Sequence, residues 1–454
     1  HHAPSRRVPF RMTRHVVIIG GGASGVLLAA HLLRQPSGDH EVTIVEPRDG
    51  IGEGLAYSTD DPAHLLNTRA GNMSAFDDDP QHFWRWLNES GAAAACGLNG
   101  ALGFAPRWRY RDYLRDLVRH WLPVSGDSRL RVVRETCVAL GETSRGVAAT
   151  LGNGVAISAD RAILAIGHAV AAGPSPYDPA WSPPEDLGIE LDEDILVLGT
   201  GLSMVDKVAS LHRRGHRGRV IALSRRGLLP RVHAATAPFL LDPADIPLGT
   251  GPAYFLRWLR RTVRWAEAQG RDWREVMDAL RPHASAIWSA MPVAGRARFL
   301  RHGRTMWDVH RHRMPPELAV LLSEAQATGL LTLMAGRLVE DRVEAGRHHV
   351  QVRQRCAGVE TLVVDRIVDC TGILRSPEAD GTGLVGHLLA SGTARMDPLG
   401  LGLDVASTCA LVDRTGTASS RIFALGPVTK ARFWEITAVP DIRAQARRLA
   451  AQLV

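Results

Sequence analysis

The stretch HVVIIGGGASGVLLAAHLL (15–33) leaves a chain few ways to fold. The run from Val16 to Ile19 is wholly β-branched, as in a strand buried on both faces. Gly20, Gly22 and Gly25 then spell G-x-G-x-x-G, and an apolar, helix-like segment follows at once. The three glycines have separate tasks in such a turn. The first allows the tight reversal, the second lets the backbone approach a pyrophosphate, and the third lets helix and strand pack closely. The helix N-terminus adds unpaired N–H groups and a partial positive charge.

A second strand, EVTIVE (41–46), ends in Glu46, followed by Pro47. An acid about 20 residues beyond such a turn is placed to bind a ribose hydroxyl. Strand, turn, helix and acid together predict the adenosine half of a dinucleotide, with Gly20, Gly22, Ala23, Ser24, Gly25, Glu46 and Pro47 as its contacts.

The pattern recurs halfway along, in ILVLGTGLSM (195–204). Gly199 and Gly201 keep the first two positions, but Met204 takes the third, which predicts a looser helix or a fit shaped around the side chain. The next strand, RVIALS (219–224), runs into Arg225 and Arg226 instead of an acid. A carboxylate would repel a 2′-phosphate, whereas guanidinium groups bind one bidentately. Gly199, Gly201, Leu202, Ser203, Ser224, Arg225 and Arg226 are therefore expected at an NADPH site, and the first turn at an FAD site.

Three further segments, AILAIGH (162–168), IVDCTGI (367–373) and RIFALGP (421–427), carry a glycine just past an apolar run. Gly167, Gly372 and Gly426 are expected where the backbone passes close to cofactor. Gly426 is expected against the flavin pyrophosphate and ribityl chain, ahead of a final helix in VPDIRAQARRLAAQL. GPSPYDPAWSPPEDLG (173–188) reads as a linker.

The expected architecture is α/β, with two Rossmann-like dinucleotide-binding domains and a mainly helical insertion. An FAD-binding part spans 14–188, an NADPH-binding part 189–372, and a second FAD-binding part 373–454. The insertion, about 235–335, holds Trp258, Trp265, Trp273, Trp288 and Trp307, and is expected to cap the cleft between domains.

A net charge of +7 raises the question of nucleic acid. Lys207 and Lys430 are the only lysines, and the arginines are scattered among nearly as many acids, without the clustered face that nucleic-acid binding needs. The densest run, RWLRRTVRW (257–265), reads as a solvated helical flank. Five cysteines without C-x-x-C exclude a disulfide scaffold and a dithiol redox motif, and fit small buried residues in a reducing cytoplasm. No apolar run reaches the roughly 18 residues of a membrane span. SRRVPF (5–10) looks like a twin-arginine signal, but no hydrophobic region separates it from the first strand; His1-His2 suggests a tag remnant, and the first dozen residues are expected to take no part in the fold. His310 and His312 form H-x-H, but on a helix they would point about 200° apart, so no metal site is expected.

The paired turns resemble the two-dinucleotide flavoproteins that include the class B flavin-containing and the N-hydroxylating monooxygenases. GEGLAYSTDDPAHLLNTRAGNMSAFDDDP (52–80), SRRGLLPRVH (224–233), WDVHRHRMPP (307–316) and FWEITAVPDIRAQ (433–445) are closer still to bacterial FAD-NAD(P)-binding proteins of mostly unassigned substrate. In the monooxygenases a T-N-x-P-K-x-x-M-x-F-x-D segment follows the second strand. Here Asn67, Met73, Phe76 and Asp78 match it, while Arg69-Ala70 replaces the prolyl-lysyl pair. The resemblance implies flavin contacts at Leu66, Asn67, Met73, Ser74, Trp434 and Thr437, with Asn67 beside the ring and helping to hold oxygen bound at C4a. GHAVAAGPSPYDPAW (167–181) departs from the F-x-G-x-x-x-H-x-x-x-W fingerprint, which tells against a Baeyer–Villiger enzyme.

The function expected is a cytoplasmic FAD- and NADPH-dependent monooxygenase, possessing O₂ and a small molecule as co-substrates, N-hydroxylation among its options. A reductase passing electrons to a partner and a flavin-bound sensor are the alternatives. Neither membrane nor nucleic acid is expected as a partner, and substrate and oligomeric state stay open.

Overall fold

In the computed structural model, residues 14–36, 38–168, 175–372 and 383–453 are described. The SRRVPF segment, residues 169–174 of the linker fingerprint and the residue after Gly372 lie outside them.

The first glycine turn joins strand Arg14–Ile19 to helix Ala23–Leu33. Its strand lies inside a six-stranded sheet. Strands Ala418–Ala424, Arg161–Leu164, Arg14–Ile19, His40–Val45 and Leu130–Val133 run parallel in that order, and Ala410–Val412 closes one edge antiparallel. A strand from the last part of the chain thus sits two places from the first. The apolar run is continuous because both faces are covered. Val16 and Ile18 pack against helices Ala23–Leu33, Arg107–Val118 and Val439–Gln452. Val17 and Ile19 pack against a three-stranded antiparallel sheet (Cys137–Glu142, Val147–Leu151, Ala156–Ala159) and helix Gly383–Ser391.

The second turn joins strand Ile195–Leu198 to helix Leu202–Arg213 in a seven-stranded sheet. Strands Leu331–Glu344, Val220–Ser224, Ile195–Leu198 and Arg366–Asp369 are parallel neighbours. Asp178–Pro179, from the proline-rich stretch read as a linker, adds a short edge strand. Beyond Leu338 the long strand turns back through Arg347–Gln354 and Val359–Val364, whose Val350, Val352 and Val364 cover the face opposite the helices.

Between the sheets' strands the chain forms five helices: Pro252–Glu267, Trp273–Leu280, Ala284–Ala290, Val293–His302 and Arg304–Arg311. They share a small core around Phe255, Met277, Leu280 and Ile287. The next helix, Pro316–Ala327, does not belong to this group. Its Leu318, Leu322 and Ala325 pack on Val205, Val208 and Ala209 beside the second sheet, and a strand begins at Leu331. The helical insertion is therefore shorter at its C-terminal end than the sequence pattern suggested. The five helices lean on the C-terminal segment: Trp288 Nε1 donates to the Ala431 carbonyl (2.8 Å), and Arg281 pairs with Asp441 (2.7 Å).

Candidate active site

At the first turn Gly20 has φ +107°, and a Cβ there would lie 2.4 Å from the Ala165 carbonyl oxygen. A Cβ on Gly25 would lie 2.0 Å from the Gly20 carbonyl oxygen. Both positions demand glycine for the fold itself. Gly22 differs, since the nearest atom to its Cβ would be Gly54 Cα at 3.3 Å, a tight contact without the outright clash of the other two. No side chain caps the helix that begins at Ala23, which leaves its first N–H groups for a ligand. Glu46 is buried at the strand end; Oε2 accepts from Gly21 N (2.7 Å) and Oε1 from Arg48 N (3.1 Å). Two backbone donors hold its carboxylate in place, with lone pairs left over for a diol. Pro47 is exposed beside it.

Gly426 (φ +77°) closes the C-terminal segment onto this turn, because a Cβ would lie 2.4 Å from Ser24 Oγ. Its backbone is fully used within the protein. Gly426 N donates to Gln445 Oε1 (2.8 Å), and Thr429 Oγ1 donates to its carbonyl (2.7 Å). The N–H expected to face a flavin pyrophosphate is thus already taken, and Gly426 acts as a contact that seats Ser24.

The second turn repeats the backbone of the first. Gly199 has φ +105°, with its Cβ position 2.5 Å from the Cys370 carbonyl oxygen, and Gly201 faces open space. Leu202 and Ser203 open an uncapped helix. Met204 is fully buried beside Ile195 and Val197, so the helix is fitted around the side chain. In register, Leu223 pairs with Leu198 as Val45 pairs with Ile19, which puts Ser224 in the place of Glu46. Ser224 Oγ bonds Thr200 Oγ1 (2.9 Å) and accepts from Gly227 N (3.0 Å). Thr200 itself stands where Gly21 stands in the first turn. A neutral hydroxyl pair replaces the carboxylate. Arg225 is exposed and has no partner among the described residues, whereas Arg226 Nη2 donates to the His302 carbonyl (2.9 Å) and ties down the end of helix Val293–His302.

The two halves meet near Asn67. Its carbonyl accepts from His233 Nε2 (2.9 Å), and Arg69 donates to the Ala234 carbonyl. Asn67 is half-buried and its side-chain amide has no partner among the described residues. Burial, aided by Arg313, lowers the His233 pKa to about 4, so the ring is neutral. Leu66 and Met73 are buried in the core under this segment. Ser74 Oγ bonds the Asp79 carbonyl (2.6 Å) and accepts from Phe76 N (3.0 Å), so this hydroxyl, expected at a cofactor, shapes its own loop. Gly167 and Gly372 (φ +71° and +91°) have no atom of the described residues within 4 Å of their Cβ positions. Beside Gly167, burial and Lys430 lower the His168 pKa to about 4. Trp434 stacks on Trp288 (4.5 Å between centroids), and its buried Nε1 has no partner among the described residues. Thr437 N donates to the Glu435 carbonyl (2.7 Å).

Two constellations escape sequence reasoning. Buried Glu435 forms an ion pair with Arg311 (2.9 Å) and accepts a hydrogen bond from Trp307 Nε1 (2.7 Å). Burial opposes its charge, but His312, Arg311 and the indole N–H outweigh that, and its pKa lies below the usual carboxylate value. Arg107 pairs with buried Asp206 (2.7 Å), while Ser210 Oγ bridges Asp61 Oδ2 (2.7 Å) and His64 Nε2 (2.8 Å). These last contacts bolt the second helix to the first sheet's loop. Glu435, His64 and Asp61 all fall in segments whose resemblance was visible, but their partners are distant in sequence. His310 Nδ1 bonds the Met306 carbonyl (2.7 Å), and His312 Nε2 lies 4.0 Å from Asp308 Oδ1. Among the described residues no three His, Cys, Asp or Glu are grouped to hold a metal ion, and no helix is long and apolar enough to cross a membrane.

Residues 17–169 match the model of a family described as FAD-NAD(P)-binding. An uncharacterized protein of Mycobacterium tuberculosis is 24% identical over 524 residues, covering 97% of this chain and 95% of its own. Among solved structures, L-lysine 6-monooxygenase from Pseudomonas syringae matches with a TM-score of 0.67 at 18% identity, over 97% of this chain and 99% of that one. Ornithine N-hydroxylase from Kutzneria sp. 744 matches with a TM-score of 0.65 at 16% identity, with the same coverage. Residues 17–169 thus match the FAD-NAD(P)-binding family, and the whole chain has the α/β fold of these flavoprotein monooxygenases.

Proposed function

We propose that the chain is an FAD- and NADPH-dependent oxidoreductase, a flavin monooxygenase acting on a small molecule with O₂. The observation that carries this reading is one turn geometry built twice with opposite chemistry at the strand end. Glu46 suits a bare ribose; Ser224 followed by Arg225 suits a phosphorylated one. Both helix starts are uncapped, and among the described residues Gly167, Gly201 and Gly372 have free space where a Cβ would stand, so the residues fit two dinucleotides. On this reading 14–188 and 373–454 hold FAD, and 189–372 holds NADPH.

When bound, FAD supplies hydride acceptance from NADPH and oxygen activation. The chain's own residues orient and exclude. Glu46 fixes the adenosine end. The His233 bond fixes the Asn67 backbone and leaves the amide free for flavin, nicotinamide or substrate. The five helices over residues 431–441 keep water from the cleft.

Thiol–disulfide chemistry gains no support. All five cysteines are unpaired, and burial raises the thiol pKa of Cys370 to about 12 and those of Cys137 and Cys409 to about 11. Free thiols suit a reducing compartment such as the cytoplasm.

The test mixes NADPH-reduced protein with O₂ and follows both the spectrum and peroxide release. A monooxygenase gives a kinetically resolved species between reduced and oxidised flavin, and Asn67→Ala shortens it and raises peroxide per NADPH. A preorganised hydrogen bond of this kind is worth on the order of 3–4 kcal/mol. Direct return to oxidised flavin, with peroxide per NADPH unchanged in Asn67→Ala, leaves a reductase or oxidase. Absence of reduction by NADPH leaves a flavin-bound sensor.

A further inference from the structure

The five helices of the insertion enclose a cavity of about 940 Å³ whose inner wall includes Trp434. That volume is at the upper end of ordinary small-molecule sites. Phe255, Met277, Ile287, Trp288, Met291 and Phe299 make the wall apolar and, through the methionines, adaptable in shape. Charge on the lining is one-sided. Arg231, Arg260, Arg264 and Arg298 line it, all exposed, and none has an ion pair among the described residues. Glu267 is the one acid of the lining. Arg274 also lines the cavity but is paired with Asp272, and elsewhere in this region Arg271 is committed to Glu275 and Arg313 to Asp278. The arginine-rich flank that read as a solvated face is, at Arg260 and Arg264, the wall of a cavity.

We infer that this cavity binds an amphipathic carboxylate, an apolar body of medium-chain or fused-ring size with one anionic end. The body displaces water from aromatic and methionine surface, and the carboxylate is held by unpaired guanidinium groups. A cation of the same shape meets four positive charges and one negative. A neutral analogue gains the apolar burial alone. Trp434 lies on the segment between Gly426, which touches Ser24 of the first turn, and the final helix. The site is therefore next to the cofactor half. That its ligand is also the compound oxidised rests on the proposed function.

The experiment titrates the oxidised, flavin-loaded protein with decanoate, decanol and decylamine below their micellar concentrations, following tryptophan fluorescence and calorimetric heat. Decanoate is expected to bind saturably, one per chain, with decylamine at least about tenfold weaker. Arg260→Gln with Arg264→Gln should weaken decanoate about three- to tenfold and leave decanol unchanged. Arg264→Glu should shift preference toward decylamine, and Met277→Trp should block all three ligands. Unchanged flavin content and melting temperature identify the folded variants, and the arginine variants decide the matter should Met277→Trp not fold. Saturable binding absent, equal binding of acid and amine, or full displacement of decanoate by NADP⁺ would overturn the site. Decanoate that binds without altering NADPH consumption keeps the site and removes the substrate role. NADPH reducing the flavin without any decanoate binding removes the site and keeps the proposed oxidoreductase.

Discussion

The two glycine turns share a backbone and differ in what that backbone must tolerate. Gly20 and Gly199 have nearly equal φ, +107° and +105°, and each would push a Cβ into a neighbouring strand's carbonyl. The second position is looser: a Cβ on Gly22 would meet Gly54 Cα at 3.3 Å, and one on Gly201 would meet no described atom within 4 Å. The third position diverges. Gly25 has its helix against the Gly20 carbonyl at a distance that excludes any Cβ, while Met204 sits wholly buried in its own core. The fingerprint's third glycine is therefore a statement about helix–strand packing and not about the dinucleotide. The strand-end residue is the reverse, because Glu46 and Ser224 occupy the same register place and differ in ligand chemistry alone.

Exchanging the third residues should give the largest effect. Gly25→Ala should cost about 3 kcal/mol or more, at the top of the overpacking range, because a backbone carbonyl cannot move aside. Met204→Ala should cost about 2–5 kcal/mol by opening a cavity. Urea unfolding of both proteins checks this. A tolerated Gly25→Ala would mean that the two turns pack alike.

Exchanging the strand-end residues comes next. Loss of a charge-assisted bond costs about 1.5–3 kcal/mol, so Glu46→Gln should weaken FAD roughly ten- to a hundredfold, read by reconstitution of the apoprotein. Ser224→Glu should lower NADPH affinity and spare NADH. Equal losses for both coenzymes would place the second dinucleotide elsewhere.

The two arginines should separate. Arg225 is exposed, with no partner among the described residues, so Arg225→Ala should weaken NADPH about tenfold, the low end of that range. Arg226 is tied to the His302 carbonyl, and Arg226→Ala should change coenzyme affinity less than about threefold while loosening helix Val293–His302. Calorimetric titration with NADPH, beside proteolysis of that helix, resolves the pair.

The first turn was legible almost completely, since strand, helix and acid are local in sequence and each has one physical reason to be there. The second was legible in its glycines and in the missing acid. The equivalence of Ser224 with Glu46 needed the strand register, and the commitment of Arg226 needed a helix 76 residues away. Gly426 shows the same limit: its position is readable, but the use of its N–H by Gln445 is a tertiary contact. In the insertion, periodicity revealed helices without their partners. The apolar helix Pro316–Ala327 therefore merged with the cap although it packs beneath the second sheet.

The smallest expected effect concerns pH at the junction of the halves. His233 has a pKa of about 4 in the fold against 6.5 unperturbed. Between those values the unfolded chain binds more protons than the folded one, so stability should fall as pH drops from 6.5 toward 4. His233→Gln should flatten part of that slope in thermal unfolding at pH 7 and pH 5, and His168, also near 4, should keep the remainder. An unchanged slope would take His233 out of the junction's energetics.

The account rests on hydride entering at the second turn and reaching a flavin held at the first. Anaerobic mixing of the purified protein with NADPH or NADH, followed at the flavin absorbance, tests that most directly. The protein should be yellow, NADPH should bleach it at least about tenfold more efficiently than NADH, and Ser224→Glu with Arg225→Ala should erase the difference without removing flavin. A colourless protein that cannot be reconstituted, or a flavin that neither coenzyme reduces, would contradict it.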